Sequence, residues 1–370
     1  MHKKISFAGP SITEKEVALV LDAVQHGWYE NYEGYIRQLE QEFAAYIGVR
    51  YAIATFCCTH ALHIACAALG LTAGDEVIVT DFSWVATAYA VAYTGAGCVF
   101  VDITPDTWNI DPNCIKKAIT PRTRAIMLVH TFGHPADMDP IMEIAKANGL
   151  AVIEDAAPAV GAEYKGRKAG SFGDISCFSF QGGKMAVSGE GGMLLTDNEE
   201  YYRRARLLAS MGRTDSQAVF WSDGIGYEYG MSNLTASLAL AQLRRVDELM
   251  AKKRELFARY YARLKDIAGI RITPERAGCR SNYCYPSVLL TDCTRERRDA
   301  ILAGLREENI HARPAFPRMS RFPVFEQRYK NPVAAMVEER GISLPSAANL
   351  TDEDIDYVCD TLIALLRREG

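Results

Sequence analysis

Up to about residue 196, short apolar runs alternate with stretches whose apolar positions recur every three or four residues. Residues 11–26 open on Ser11 and Thr13, carry Val17, Val20, Leu21 and Val24, and stop at Gly27, which predicts a helix. The polar, aromatic stretch from Trp28 to Tyr35 reads as a loop that either caps a site or packs on a partner subunit. A second amphipathic helix is expected over 36–47, closed by Gly48. Seven strands follow, at 51–54, 76–80, 98–102, 124–129, 150–154, 175–180 and 192–196. Helices are expected between them at 59–69, 84–93, 112–119 and 138–147. Several of these strands are apolar on both faces. That pattern predicts an α/β fold with a largely parallel sheet covered on both sides.

Beyond Asp197 the rhythm changes. A basic helix is expected over 199–211, then a polar, aromatic, Gly-rich loop over 212–230. Residues 233–264 read as one long helical region. Strands at 285–290 and 311–313 and helices at 295–308 and 352–368 complete a smaller α+β unit. The expected division is a large domain over 1–250 and a small C-terminal domain over 251–370.

Composition changes this picture little. The chain has 370 residues, 49% hydrophobic and 24% charged, in the ordinary globular range and long enough for two such units. A net charge of -5 argues against a nucleic-acid partner. No apolar run approaches the roughly 20 residues of a membrane span, and the first ten residues show no secretory pattern. The ten Cys include no C-x-x-C pair, so buried free thiols in a reducing cytoplasm are expected rather than disulfides or a zinc site. His130 and His134 flank Gly133 in a loop pattern, and no metal is expected there.

The chemistry centres on Lys184, in Gln181-Gly-Gly-Lys184-Met-Ala-Val-Ser-Gly-Glu-Gly-Gly192. It is a lone Lys on a turn between two apolar strands. Desolvation there favours the neutral amine, the nucleophile a Schiff base needs. Asp155 stands at the carboxyl end of an apolar strand, where open α/β sheets bind ligands. It can pair with a cation in the ligand, or simply cap a helix. Cys57-Cys58-Thr59-His60 leads from a strand into a helix, and N–H groups with a hydroxyl make a phosphate seat. Ser179 can add a second hydroxyl, or be a buried Ser bonded to backbone. Trp84 can stack on a planar ligand or belong to the core. The Walker and dinucleotide-binding patterns both fail around Gly183 and Gly189. An amine, an acid for a ring nitrogen, a phosphate seat and an aromatic plate together are what pyridoxal phosphate asks of a protein.

Longer stretches carry a resemblance. They are Gly74-Asp-Glu-Val-Ile-Val79, Trp84-Val-Ala-Thr87, Val129-His-Thr-Phe-Gly-His-Pro-Ala-Asp-Met-Asp139, Ile153-Glu-Asp-Ala-Ala157, Gly170-Ser-Phe-Gly-Asp174, Phe178-Ser-Phe180, Gly189-Glu-Gly-Gly192, Met231-Ser-Asn-Leu234 and Ala241-Gln-Leu243. Over nearly its whole length the chain resembles the DegT/DnrJ/EryC1/StrS sugar aminotransferases. The resemblance implies the aspartate-aminotransferase-like fold (pyridoxal-phosphate fold type I), with a mainly parallel seven-stranded sheet and a smaller C-terminal α+β domain. It implies that Lys184 holds pyridoxal phosphate as a Schiff base, that Asp155 pairs with the ring nitrogen and that Trp84 stacks on the ring. Thr59, the backbone of His60, and Ser179 would hold the phosphate, with Cys58 where the family usually has Gly. A segment matching Gly226 to Met231 reaches the neighbouring subunit's site in the family, which implies a homodimer and places Glu228 near that phosphate, where Asn or Lys is usual. Pro158 stands where the family has Gln, His or Glu. Relatives that act as dehydratases have His in place of Lys184, so the chain resembles the aminotransferases.

The resemblance also suggests substrates. His311-Ala-Arg313-Pro-Ala-Phe-Pro317 is similar to a stretch in the branch that aminates C4 of nucleotide-linked 4-keto-6-deoxy sugars, perosamine synthases among them. L-glutamate is the implied donor, in a ping-pong cycle. Arg313 would meet a carboxylate or diphosphate, or else form a surface ion pair. Trp28, Tyr29 and Tyr35 would frame the sugar or nucleotide, or else pack between subunits. Amination at C3 of a keto sugar, or of a keto-cyclitol, is the second reading. A regulatory or binding protein on the same fold, without catalysis, is the third.

Overall fold

The structure is a computed structural model that describes residues 3–213 and 220–368. Residues 214–219 of the expected Gly-rich loop lie outside the described residues. The seven expected strands form as β1 (Tyr51–Thr55), β2 (Glu76–Thr80), β3 (Gly97–Val101), β4 (Thr123–Val129), β5 (Ala151–Asp155), β6 (Ile175–Ser179) and β7 (Gly192–Thr196). They build one sheet in the order β1-β7-β6-β5-β4-β2-β3. Within it β7 runs antiparallel to both of its neighbours, and the remaining pairs are parallel.

Alternate residues of each strand enter different cores. Ile53, Val77, Val79, Met127, Ile153, Cys177 and Leu194 share one cluster. It lies under α3 (Cys58–Ala68), α4 (Ala86–Ala92) and α7 (Glu199–Ala209), which contribute Leu62, Val91 and Ala205. Phe178 and Leu195 face the other way, with Phe43 of α2 (Gly34–Ile47) and Leu240 of α8 (Asn233–Leu243). Ile78, Ile126 and Val152 continue that face against Ile115 of α5 (Pro112–Ala118) and Ile141 of α6 (Met138–Asn148). Burial on both faces is why the strands read as continuous apolar runs.

Two expectations shift. The helix expected over 84–93 starts only at Ala86, because Trp84 and Val85 form a turn that Thr87 N–H closes on the Trp84 carbonyl (3.2 Å). The region 233–264 is two helices, α8 and α9 (Val246–Leu264), broken at Arg245. Arg245 is buried, and its guanidinium donates to Glu16, Glu248 and Ser11 rather than continuing an amphipathic face. The early part of α9 packs in the sheet's core through Val246, Leu249 and Met250. Its later part, through Leu256, Tyr260 and Leu264, belongs to a second core.

That second core lies on a four-stranded antiparallel sheet of β8 (Ile270–Arg271), β9 (Ser287–Leu290), β10 (Arg313–Pro314) and β11 (Gly341–Ser343), in the order β8-β9-β11-β10. Pro314 sits on the edge strand, where its missing N–H costs no ladder bond. α10 (Arg295–Glu307) and α12 (Asp352–Arg367) cover it with Ile301, Leu305, Val358 and Leu362. Ile5 packs into this core too and pairs with Ile310. α11 (Pro332–Arg340) and β11 were not expected from the sequence.

The N-terminal helix α1 (Glu14–His26) is tied down by Glu16. Its carboxylate accepts from Thr13 N (2.7 Å), Thr13 Oγ1 (2.6 Å), Gln242 Nε2 (2.8 Å) and Arg245 (2.7 Å). Burial alone would raise its pKa, but these donors outweigh burial and hold it at about 2. Glu76 is likewise buried and held at about 2 by Thr120, Arg328 and Arg122. Both folded-state values lie below the unfolded value of roughly 4.5. Their stabilisation is therefore complete above that value and is lost as pH falls through it toward 2. We expect the urea midpoint to fall steeply between pH 5 and pH 3, and the fall to be shallower in Glu16→Gln.

Candidate functional site

Asp155 is the last residue of β5, beside β4 and β6, so its side chain stands at the carboxyl ends of the parallel strands. Three further segments converge there. The start of α3 is one: Cys57 is its N-cap and makes no side-chain capping bond, which leaves first-turn N–H groups free for an anion. Ser179 ends β6 and is buried. The chain then turns through residues 181–191, held by Lys184 N to Gln181 O (2.8 Å), Gly182 N to Gly189 O (2.9 Å) and Ser188 N to Phe180 O (2.7 Å). It re-enters the sheet at Gly192. A Cβ there would lie 2.5 Å from the Cys57 carbonyl carbon and 2.6 Å from Cys58 N, so only Gly lets β7 pass this close under the start of α3. The Lys184 turn and the anion seat are thereby locked side by side.

Cys58, Thr59, Asp155, Ser179 and Lys184 line one cavity of about 480 Å³. Trp84, Phe132, Phe316, Tyr285, Pro158 and Arg313 are among its other wall residues. Asp155 is buried; its Oδ2 accepts from Thr87 Oγ1 (2.7 Å) and its Oδ1 from Ala157 N (3.1 Å). Burial pushes its carboxyl up, and these donors and the nearby Lys184 only partly offset that.

The residue before it anchors the strand. Glu154 accepts from Gly170 N (2.8 Å), Phe172 N (2.7 Å), Gly173 N (2.6 Å) and His130 Nε2 (2.8 Å). Ala136 N donates to His130 Nδ1 (3.0 Å), which fixes the proton on Nε2. His130 is thus committed to Glu154, and His134 accepts from Arg276 N. Among the described residues no cluster of His, Cys, Asp and Glu could hold a metal.

The charge state of Lys184 differs from the sequence expectation. Burial does press its pKa down, but the acidic groups of Tyr285, Cys284, Asp155 and Cys58 outweigh that and raise it above the ordinary value. Nζ lies 5.8 Å from the centre of the Tyr285 ring. Tyr285 itself is raised to about 12, mainly by burial, and donates its hydroxyl to the Gly183 carbonyl (2.9 Å). Desolvation argued from the turn alone missed these partners because they come from other segments. These surroundings favour the protonated amine, which must shed a proton before it can attack.

Trp84 is 63% exposed and stands at the cavity wall rather than in the core. The Arg313 guanidinium lies over the Phe7 ring at 4.3 Å and makes no ion pair among the described residues. The His60 side chain leaves the cavity and stacks on Tyr229 at 3.7 Å, its Nδ1 buried without a partner; only its backbone belongs to the start of α3. Glu228 is exposed, outside this chain's cavity, in a segment bridged to Ser210. Trp28, Tyr29 and Tyr35 do not line the cavity either. Asn233 holds their turn by bonding Gly27 O, Asn31 O and Tyr35 N. Trp28 Nε1 donates to Val24 O (2.7 Å), and Tyr35 donates to Asp22. Tyr29 is 87% exposed.

Sequence reasoning did not single out Tyr285, Thr87 or Glu154 for a role. Thr87 and Glu154 lay inside the motifs that carried the resemblance, and Tyr285 had no local signal.

The residue set suits pyridoxal phosphate. An anion seat with two hydroxyls lies at one part of the cavity and a buried carboxylate at another, with an amine and an exposed indole on the same walls. Pro158 offers no hydrogen-bonding side chain to a ring hydroxyl.

Comparison with known proteins gives a consistent result. The model of the DegT/DnrJ/EryC1/StrS aminotransferase family matches residues 10–363. The GDP-perosamine synthase of Escherichia coli O157:H7 is 38% identical over 361 residues, 97% of this chain and 98% of that protein. The GDP-perosamine synthase of Caulobacter vibrioides is 38% identical over 367 residues, 98% of each. Among solved structures, the aminotransferase TlmJ from Streptoalloteichus hindustanus superposes with a TM-score of 0.93 at 30% identity, over 98% of this chain and 99% of that one.

Proposed function

Since the chain belongs to the DegT/DnrJ/EryC1/StrS family and is a pyridoxal-phosphate-dependent aminotransferase, we propose that it moves an amino group from L-glutamate to C4 of a nucleotide-linked 4-keto-6-deoxy sugar. The reaction belongs in the cytoplasm, and the working unit is a homodimer in which Glu228 and its neighbours approach the other subunit's site. The sugar and its C4 position rest on the likeness to the two perosamine synthases. The observation that carries the chemistry is one cavity in which Lys184 stands with Asp155 and with the anion seat of Thr59, Ser179 and the start of α3.

When bound, the cofactor supplies an aldehyde that exchanges amines and a ring that takes up electrons from a carbon losing its proton. Thr59, Ser179 and the N–H groups of Cys58, Thr59 and His60 would hold its phosphate. Asp155 would pair with its ring nitrogen and keep that nitrogen protonated. Trp84 would cover one face of the ring. Lys184 Nζ would hold the cofactor at rest and, once freed by the donor's amine, would serve as the positioned base and acid for the proton at the donor's Cα. Asp155 is one of the acidic groups that raise the affinity of Nζ for a proton, an effect that its pairing with a ring cation would weaken.

Purified protein given the cofactor is expected to turn yellow and to lose that band on addition of L-glutamate, with release of 2-oxoglutarate. A panel of GDP-, dTDP- and UDP-linked keto sugars then identifies the acceptor by product mass and the aminated carbon by NMR. Absence of cofactor uptake, or amination at C3, would overturn the proposal.

Arg313 has a guanidinium on the cavity wall with no ion pair among the described residues, suited to a substrate carboxylate or diphosphate. Arg313→Ala is expected to lower kcat/KM at least roughly tenfold in one half-reaction and leave the other nearly unchanged. Stopped-flow measurement of each half-reaction tells which substrate it meets. Equal loss in both would contradict a contact with either anion.

A further inference from the structure

Thr87 lies in a stretch that carried the family resemblance and has no part in the roles above. Its hydroxyl has one proton and three oxygens within reach: the Trp84 carbonyl (3.1 Å), Ser83 Oγ (3.1 Å) and Asp155 Oδ2 (2.7 Å). The carboxylate oxygen is the nearest of the three, so it takes the proton. Ser83 is then left to donate to Thr87 Oγ1. All three residues are buried, and all three line the cavity. Each donor in such a chain polarises the next.

We propose that Ser83 and Thr87 form a hydroxyl relay that positions the Asp155 carboxylate and keeps it ionised. They act through Asp155 and touch no reacting atom. This rests on the proposed pairing of Asp155 with the cofactor's ring nitrogen. Asp155 and that nitrogen share one proton. Each hydrogen bond donated to the carboxylate lowers its hold on the proton and leaves it on the nitrogen. Burial pulls the other way, so the carboxylate needs its donors: Thr87 on Oδ2 and the Ala157 N–H on Oδ1.

The test uses the full-length protein loaded with cofactor labelled with ¹⁵N in the ring. Thr87→Val keeps the shape and removes the hydroxyl, and Thr87→Ser restores it. In Thr87→Val the ¹⁵N signal should move from the wild-type position toward that of an unprotonated ring, and kcat should fall roughly tenfold. In Thr87→Ser both should return to wild type. Ser83→Ala should move the signal in the same direction by less, and it decides the matter if Thr87→Val does not fold. An unmoved signal in Thr87→Val, or in Ser83→Ala if that variant must serve, overturns the relay. The underlying pairing is tested separately with Asp155→Asn: if its ¹⁵N signal matches wild type, or the wild-type protein takes up no cofactor, the pairing itself fails.

Discussion

Replacing Lys184 by Ala is expected to lower the rate of amine transfer by about 10³-fold or more while leaving the protein folded. Two losses combine. Among the described residues Lys184 is the only lysine that lines the cavity, so its loss removes the amine proposed to hold the cofactor. The proton transfer at Cα also loses its positioned acid and base, by itself worth roughly 10² to 10⁴. Stability should change little, because Lys184 lines the cavity and makes no ion pair among the described residues. The glutamate half-reaction, followed by release of 2-oxoglutarate, gives the rate; thermal unfolding gives the control. Lys184→Arg keeps a cation but supplies no condensing amine, so it should be as inactive. A variant retaining a tenth of the wild-type rate would remove Lys184 from the mechanism.

The largest expected effect on stability belongs to Glu154. Its side chain is fully buried, and its carboxylate accepts from three backbone N–H groups and from His130 Nε2. Burial would raise its pKa, but these donors hold it below the ordinary value. Glu154→Ala leaves those four donors in a dry interior. Removing one partner of such a buried arrangement costs about 3 to 5 kcal/mol. That is a large share of a typical folding stability of roughly 5 to 15 kcal/mol. Glu154→Gln should also be poor, because an amide turns N–H groups toward N–H groups. Asp155 is the next residue on β5, so a folded variant should also bind the cofactor more weakly. Urea unfolding at neutral pH measures the first effect; a loss under about 1 kcal/mol would contradict it.

What could be read from the sequence was whatever the chain encodes locally. The seven strands were legible because each is a short apolar run, buried on both faces and bounded by turn residues. Lys184 and Asp155 stood out because a turn or a strand end isolates each polar group among apolar neighbours. α11 and β11 were missed because they leave little pattern. α11 is entered from Asn331 at φ 45 without a side-chain cap, and β11 is three residues long. The break at Arg245 depends on Glu16, more than two hundred positions away, and so leaves no local mark. The charge of Lys184 was misjudged for the same reason, since Tyr285, Cys284, Asp155 and Cys58 meet it only in the folded molecule.

The central claim is that Lys184 carries the cofactor. Borohydride reduction of the yellow protein, followed by peptide mass mapping, tests it most directly. The expected result is a single phosphopyridoxyl group on Lys184, absent when L-glutamate is added before the borohydride. A label on any other lysine, or none on a protein that has taken up the cofactor, would contradict it.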